Sequence, residues 1–140
     1  MSIKEFADKY IKAMGEAWEK GNFKALEALE APNVVWHRLP SRPAFEGRED
    51  VGWETHKKFF LSTQQNMSNL RNELKYLTGE GNLFALSLNR RFILTREIPA
   101  SPESIGKVGK EGTMDGLMLF RLESGKVVEV WAKPGPTVFN

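Results

Sequence analysis

Of the ionisable side chains in this 140-residue chain, two stand where pattern points to acid–base or anion chemistry, His56 and Arg90. The chain has two histidines, His37 and His56, and no cysteine, so thiolate nucleophiles and disulfides are excluded. A histidine titrates near neutral pH and can give or take a proton in a reaction. His56 is the better placed of the two. On a helix turning about 100° per residue, Val51, Gly52, Thr55, His56, Phe59, Phe60 and Thr63 share one arc, with Trp53 at its edge. Asp50, Glu54, Lys57 and Lys58 take the other arc. His56 is therefore expected to face inward, either as an acid–base or ligand contact or as a core histidine bonded to a neighbour. His37 alternates with Trp36 and is expected on the other side of its strand, in a structural or surface role.

Arg90 is the second clue. Phe84, Leu86, Leu88, Arg90, Phe92 and Leu94 alternate with more polar residues, which places Arg90 on the apolar face of a strand. A guanidinium cannot shed its charge, so it needs a partner there. That partner is an internal carboxylate, Glu73 or Asp115, or an anionic ligand. Arg38 ends an earlier strand beside a loop and is expected to be solvent-exposed. Of the four tryptophans, periodicity makes Trp18 and Trp36 core residues. It puts Trp53 at a pocket mouth and Trp131, with Val127, Glu129, Leu117 and Leu119, on the outer face of a sheet. An exposed apolar face of that kind suits a dimer interface. No metal-ligand spacing, glycine-rich phosphate loop or G-x-S-x-G motif is present.

The elements that must position these groups follow from pattern and punctuation. Ser2 and Glu5 make a capping box. Ile3, Phe6, Ala7, Tyr10, Met14, Ala17 and Trp18 then recur at helical spacing, up to a stop at Gly21-Asn22. Phe23 to Leu29 reads as a short second helix stopped by Ala31-Pro32, and Val34 to Trp36 as a brief strand. Pro40 to Pro43 is a loop. A third helix is expected from about Arg48 to Ser62, with Glu49 and Asp50 in its first turn. Strands follow at Leu70 to Leu77 and Leu83 to Thr95. Glu97 to Gly112, rich in Pro, Ser, Gly and Lys, reads as a loop over a pocket. Thr113–Leu122 and Lys126–Ala132 form a hairpin through Glu123-Ser124-Gly125-Lys126, with a glycine for positive φ. Helices first and strands after point to an α+β domain whose curved sheet is covered by helices on one face.

Length favours one domain over residues 1–140. The 20 basic and 18 acidic residues nearly balance and are dispersed, which argues against nucleic acid as a partner. No apolar run reaches about 18 residues, so no membrane span or membrane partner is expected, and a cytoplasmic location follows by default.

Three pieces of sequence, in this order along the chain, resemble the nuclear transport factor 2-like superfamily, in its SnoaL-like and ketosteroid-isomerase-like branch. They are Gly21-Asn22-Phe23-Lys24-Ala25-Leu26; Val34-Val35-Trp36-His37 with Phe45-Glu46-Gly47-Arg48-Glu49-Asp50-Val51; and Phe120-Arg121-Leu122-Glu123-Ser124-Gly125-Lys126-Val127-Val128-Glu129. The resemblance implies a cone: a strongly bent mixed or antiparallel sheet, three helices from the N-terminal half over its concave face, a pocket between them, and often a homodimer. It also implies positions to check. Arg38 stands where the isomerases carry their aspartate base. Met14 stands at their tyrosine donor and Met118 at their protonated aspartate. Ala132 replaces the last-strand acid of SnoaL-like cyclases and epoxide hydrolases, and Leu88 and Arg90 fall near the latter's arginine and second aspartate.

The expectation is a small-molecule pocket protein for an apolar or anionic molecule, acting as a lyase, isomerase or cyclase on an apolar carboxylate or ketone. Its alternative is a non-catalytic ligand-binding or dimerising domain. His56 is the candidate catalytic residue. Met14, Trp36, Arg38, Trp53, Phe60, Arg90 and Met118 are the candidate ligand contacts, with no metal and no cofactor implied.

Overall fold

The computed structural model describes residues 2–40, 47–99 and 101–140. The helices are α1 (Ile3–Lys20), α2 (Lys24–Leu29) and α3 (Trp53–Gln64). The strands are β1 (Glu30–Arg38), β2 (Arg48–Val51), β3 (Met67–Glu80), β4 (Leu83–Leu94), β5 (Glu111–Glu123) and β6 (Lys126–Phe139), with a 3-10 turn at Pro102–Ser104. They form one six-stranded sheet in the order β2-β1-β6-β5-β4-β3. β1 runs parallel to β6, and every other neighbouring pair is antiparallel. The class is α+β, an open cone of bent sheet with the three helices on its concave side.

Local sequence accounts for most of these elements. Ser2 caps α1 by accepting from the Glu5 N–H at 3.1 Å. Gly21 closes it at φ 66°, a left-handed cap. The β5–β6 hairpin turns on Ser124 (φ 51°) and Gly125 (φ 76°), two positive-φ residues that match the twist of the flanking strands. Register shifts bend the sheet: two lie between β3 and β4, and two between β5 and β6. The tip of the cone is packed. Phe84 stacks on Phe120 at 4.9 Å, Phe120 meets Tyr10 edge-on at 5.0 Å, and Val127, Val130 and Leu26 are fully enclosed.

Some expectations fail for identifiable reasons. The third helix does not begin at Arg48. Residues 48–51 pair with β1 as β2, and α3 starts only at Trp53. Gly52 divides them: its φ of 91° breaks the helix, and its N–H donates to the Val34 carbonyl at 2.7 Å. Asp50, expected on a solvated helix arc, is buried as a result. Val127 faces the core, not the outer face with Trp131. Arg121 pairs with Glu129 but Leu122 with Val127, so Val128 is a bulge that reverses the alternation. β6 runs past Ala132 through two prolines. Its pairing with β1 ends at Ala132, and an unpaired edge tolerates a missing donor. Of the expected loop from Pro40 to Pro43, positions 41–43 lie outside the described residues, as do Phe45, Glu46 and Ala100.

Candidate functional site

The site grows from the first residue of β1. After α2 the backbone turns extended at Glu30, which drives an ionisable side chain inward; it is 0% exposed. A buried carboxyl needs hydrogen bonds, and Glu30 has three donors from three elements. Tyr10 on α1 donates its hydroxyl to Oε2 at 2.6 Å. Trp36 on β1 donates its indole N–H to Oε1 at 3.1 Å. His56 Nδ1 on α3 lies 2.8 Å from Oε1. Burial, then the charge of Glu30, pushes the Tyr10 hydroxyl well above its ordinary value, so Tyr10 stays a donor. The His56 ring stacks on Trp36 with centroids 4.2 Å apart and touches Trp53 and Phe60 edge-on. With Nδ1 committed to Glu30, Nε2 is the nitrogen left for the space beyond.

That space is a cavity of about 250 Å³ between the helices and the concave sheet. Its walls bring together six of the seven candidate ligand contacts, Met14, Trp36, Arg38, Phe60, Arg90 and Met118, along with His56. Trp53 is not among them. As the first residue of α3 it turns into the core, 4% exposed and edge-on to Phe23. Met14 and Met118 give the cavity polarisable apolar wall, and Phe59, Leu88 and Ala132 extend it.

The two arginines are placed differently from expectation. Arg38 is not solvent-exposed: its side chain is 11% exposed. Its guanidinium lies 3.5 Å from the Phe59 ring centroid and 4.9 Å from that of Trp36. Its Nε donates to Asp50 Oδ2 at 2.9 Å. Burial lowers the Arg38 pKa, and Asp50 offsets part of that. Burial alone would raise the Asp50 carboxyl, but Arg38 and then Arg48 hold it below the usual range. Arg90 does face the cavity, but neither expected carboxylate reaches it. Asp115 accepts from Asn89 at 3.0 Å, and Glu73 pairs with Lys75 at 3.3 Å. Arg90 Nε donates instead to the Asn72 side-chain oxygen at 2.9 Å, and its head group lies 5.0 Å from the Trp18 ring centroid.

Sequence reasoning missed Glu30 altogether. The available signal was Tyr10, whose hydroxyl recurs on the core face of α1 and so demands a partner. His37 lies on the outer face, bridging Glu129 (2.6 Å) and Glu49 (3.1 Å). Among the described residues no helix is long and apolar enough to cross a membrane.

This geometry has relatives. AclR, a proposed hydroxylase from Streptomyces galilaeus, superposes with a TM-score of 0.70 at 19% identity, covering 96% of this chain and 81% of that one. IdmH, a proposed polyketide cyclase from Streptomyces antibioticus, gives 0.69 at 22% identity, covering 93% and 91%. A proposed isomerase from Rhodopseudomonas palustris gives 0.74 at 9% identity, covering 96% and 93%. At such identities the likeness is one of fold. No curated protein matches the sequence. The family model for the SnoaL-like domain matches residues 11–130, and the chain belongs to that family, within the nuclear transport factor 2-like superfamily.

Proposed function

We propose that the chain is a small-molecule enzyme of the isomerase, lyase or cyclase kind, in which His56 exchanges a proton with a ligand held in the cavity. The observation that carries this reading is the 2.8 Å contact between His56 Nδ1 and Glu30. A carboxyl on one ring nitrogen fixes the tautomer and presents the other nitrogen to substrate. Tyr10 and Trp36 occupy further sites on the Glu30 carboxyl, so it cannot swing away from the ring. Met14, Trp36, Phe60 and Met118 would hold the apolar body of the ligand. Proton removal next to a carbonyl is the step such a site performs best, because the base stands in a largely apolar enclosure. The proposed cyclase and isomerase among the structural relatives fit that reaction class.

A second reading is a binding domain without catalysis. It is favoured by Met14, Met118 and Ala132, which bring no ionisable group to the cavity at the positions where the resemblance implies a tyrosine donor and two acids. In either case we read the outer sheet face, with Trp131 and Leu119 paired across β6 and β5, as a self-association surface.

The test is exchange of the α-protons of cyclic ketones with solvent deuterium, followed by NMR. His56→Gln should slow exchange by about a hundredfold or more while the folded spectrum persists. Equal rates in wild type and variant would leave only the binding reading.

A further inference from the structure

Acid–base chemistry by His56 leaves the charge of the cavity unexplained. Three cationic side chains, Arg38, Arg90 and Lys133, line it, and among the described residues no carboxylate does. Cations taken out of water are ordinarily paired with carboxylates. Arg38 meets that rule only in part. It shares Asp50 with Arg48, and its Nη2 is buried without a partner among the described residues. Arg90 does not meet it at all. Among the described residues its one hydrogen-bond acceptor is the neutral Asn72 amide, its head group lies over the Trp18 ring, and the acids flanking it on the sheet are engaged elsewhere. Enclosure, then the repulsion of Arg38, pushes the Arg90 pKa down to about 10. The two guanidiniums thus line one cavity, repel one another, and have no carboxylate among the described residues lining it with them.

From Arg90, which has no carboxylate partner among the described residues, and the only partly compensated Arg38 beside it, we infer that the cavity recognises a monocarboxylate on an apolar, ring-bearing body, with Arg90 taking the carboxylate and Arg38 adding its positive charge. The inference rests on the acid–base reading insofar as His56 acts on the same ligand. A carboxylate offers two planar acceptor oxygens, which match the forked donors of a guanidinium and not a point charge. The aromatic wall of Trp18, Trp36, Phe59 and Phe60 suits a flat apolar body. Lys133, exposed at the rim, adds attraction along the path of entry. An anion seated there would supply the charge that the protein withholds.

The experiment is calorimetry with naphthoate and its uncharged analogue naphthamide, on wild type, Arg90→Met and His56→Gln, with thermal melts of all three. Wild type should bind the acid at least about tenfold more tightly than the amide. Arg90→Met keeps the stem and removes the donors. It should erase that preference, leave amide affinity within about twofold, and melt no lower than wild type, because no protein carboxylate is stranded. His56→Gln should keep the acid preference, so failure of the acid–base reading shows only in proton exchange, and failure of this inference only in the acid–amide comparison. Equal affinity of wild type for both probes, or no binding of the acid at about 1 mM, would overturn it. So would an Arg90→Met protein that melts lower and loses both probes alike.

Discussion

Trp36 and His37 are neighbours on β1, and each belongs to a histidine–glutamate–tryptophan trio, one on either face of the sheet. Inside, His56 stacks on Trp36 at 4.2 Å and contacts Glu30 at 2.8 Å. Outside, His37 stacks on Trp131 at 5.1 Å and contacts Glu129 at 2.6 Å. The chemistry is the same and the settings are not. The inner side chains are 3% and 0% exposed, the outer ones 24% and 23%. The inner ring commits one nitrogen to the protein. The outer ring commits both, since Nδ1 also meets Glu49 at 3.1 Å. A histidine spanned by two carboxylates has no nitrogen left for a ligand. One anchored by a single buried carboxyl beside a cavity does. Burial and the count of free nitrogens, not the pairing itself, separate the candidate catalytic residue from the surface one.

The comparison breaks most easily at the carboxyls. Glu30→Ala removes the acceptor of three buried donors and leaves a void. A loss of about 3–5 kcal/mol is expected in urea unfolding. Glu129→Ala removes a part-exposed partner and should cost at most about 1 kcal/mol. Equal losses for the two would mean that burial is not what distinguishes the trios.

What was legible in the sequence follows the range of the interactions. α1 and the final hairpin are written in local pattern: helical spacing from Ile3 to Trp18, and Ser124-Gly125 between alternating strands. Arg90 was placed on the cavity side by period-two alternation alone, because β4 is regular between Leu83 and Leu94. Glu30 was not legible. It sits at a junction where one periodicity stops and another starts, and its donors come from positions 10, 36 and 56. Asp50 was misplaced because a helical wheel was extended across Gly52, whose positive φ cannot be part of a helix. Val127 was misplaced because a single bulged residue reverses every side chain beyond it. These failures share a cause: periodicity is blind to one-residue interruptions, and tertiary hydrogen bonds have no period at all.

The outer trio can be sharpened by association. If Trp131 lies in a self-association surface, Trp131→Glu puts a charge on it, and aromatic anchors of such surfaces are worth about 2 kcal/mol or more. Sedimentation should show at least a tenfold weaker dimer than wild type. A dimer of unchanged affinity would remove Trp131, and with it the stack on His37, from the interface.

The smallest effect is the pH response of the outer trio. The hydrogen bond from His37, then that from Arg121, outweighs desolvation and holds the Glu129 carboxyl below its ordinary value of 4.5. On acidification the unfolded chain therefore takes up this proton before the folded one does. The contribution of Glu129 to stability is fully present above the unfolded value and is lost as pH falls through the folded one. Asp50 is depressed in the same direction by Arg38 and Arg48, so wild type alone cannot report on Glu129. The difference between wild type and His37→Gln can. The variant loses the strongest hold on Glu129 and keeps Asp50 intact, so its stability should fall less steeply between about pH 5 and 3. Because this trio is part-exposed, added salt should shrink the difference. Parallel stability–pH curves for the two proteins would assign the depression of Glu129 to Arg121, whose Nε donates to it at 3.0 Å, and would leave His37 with a packing role against Trp131.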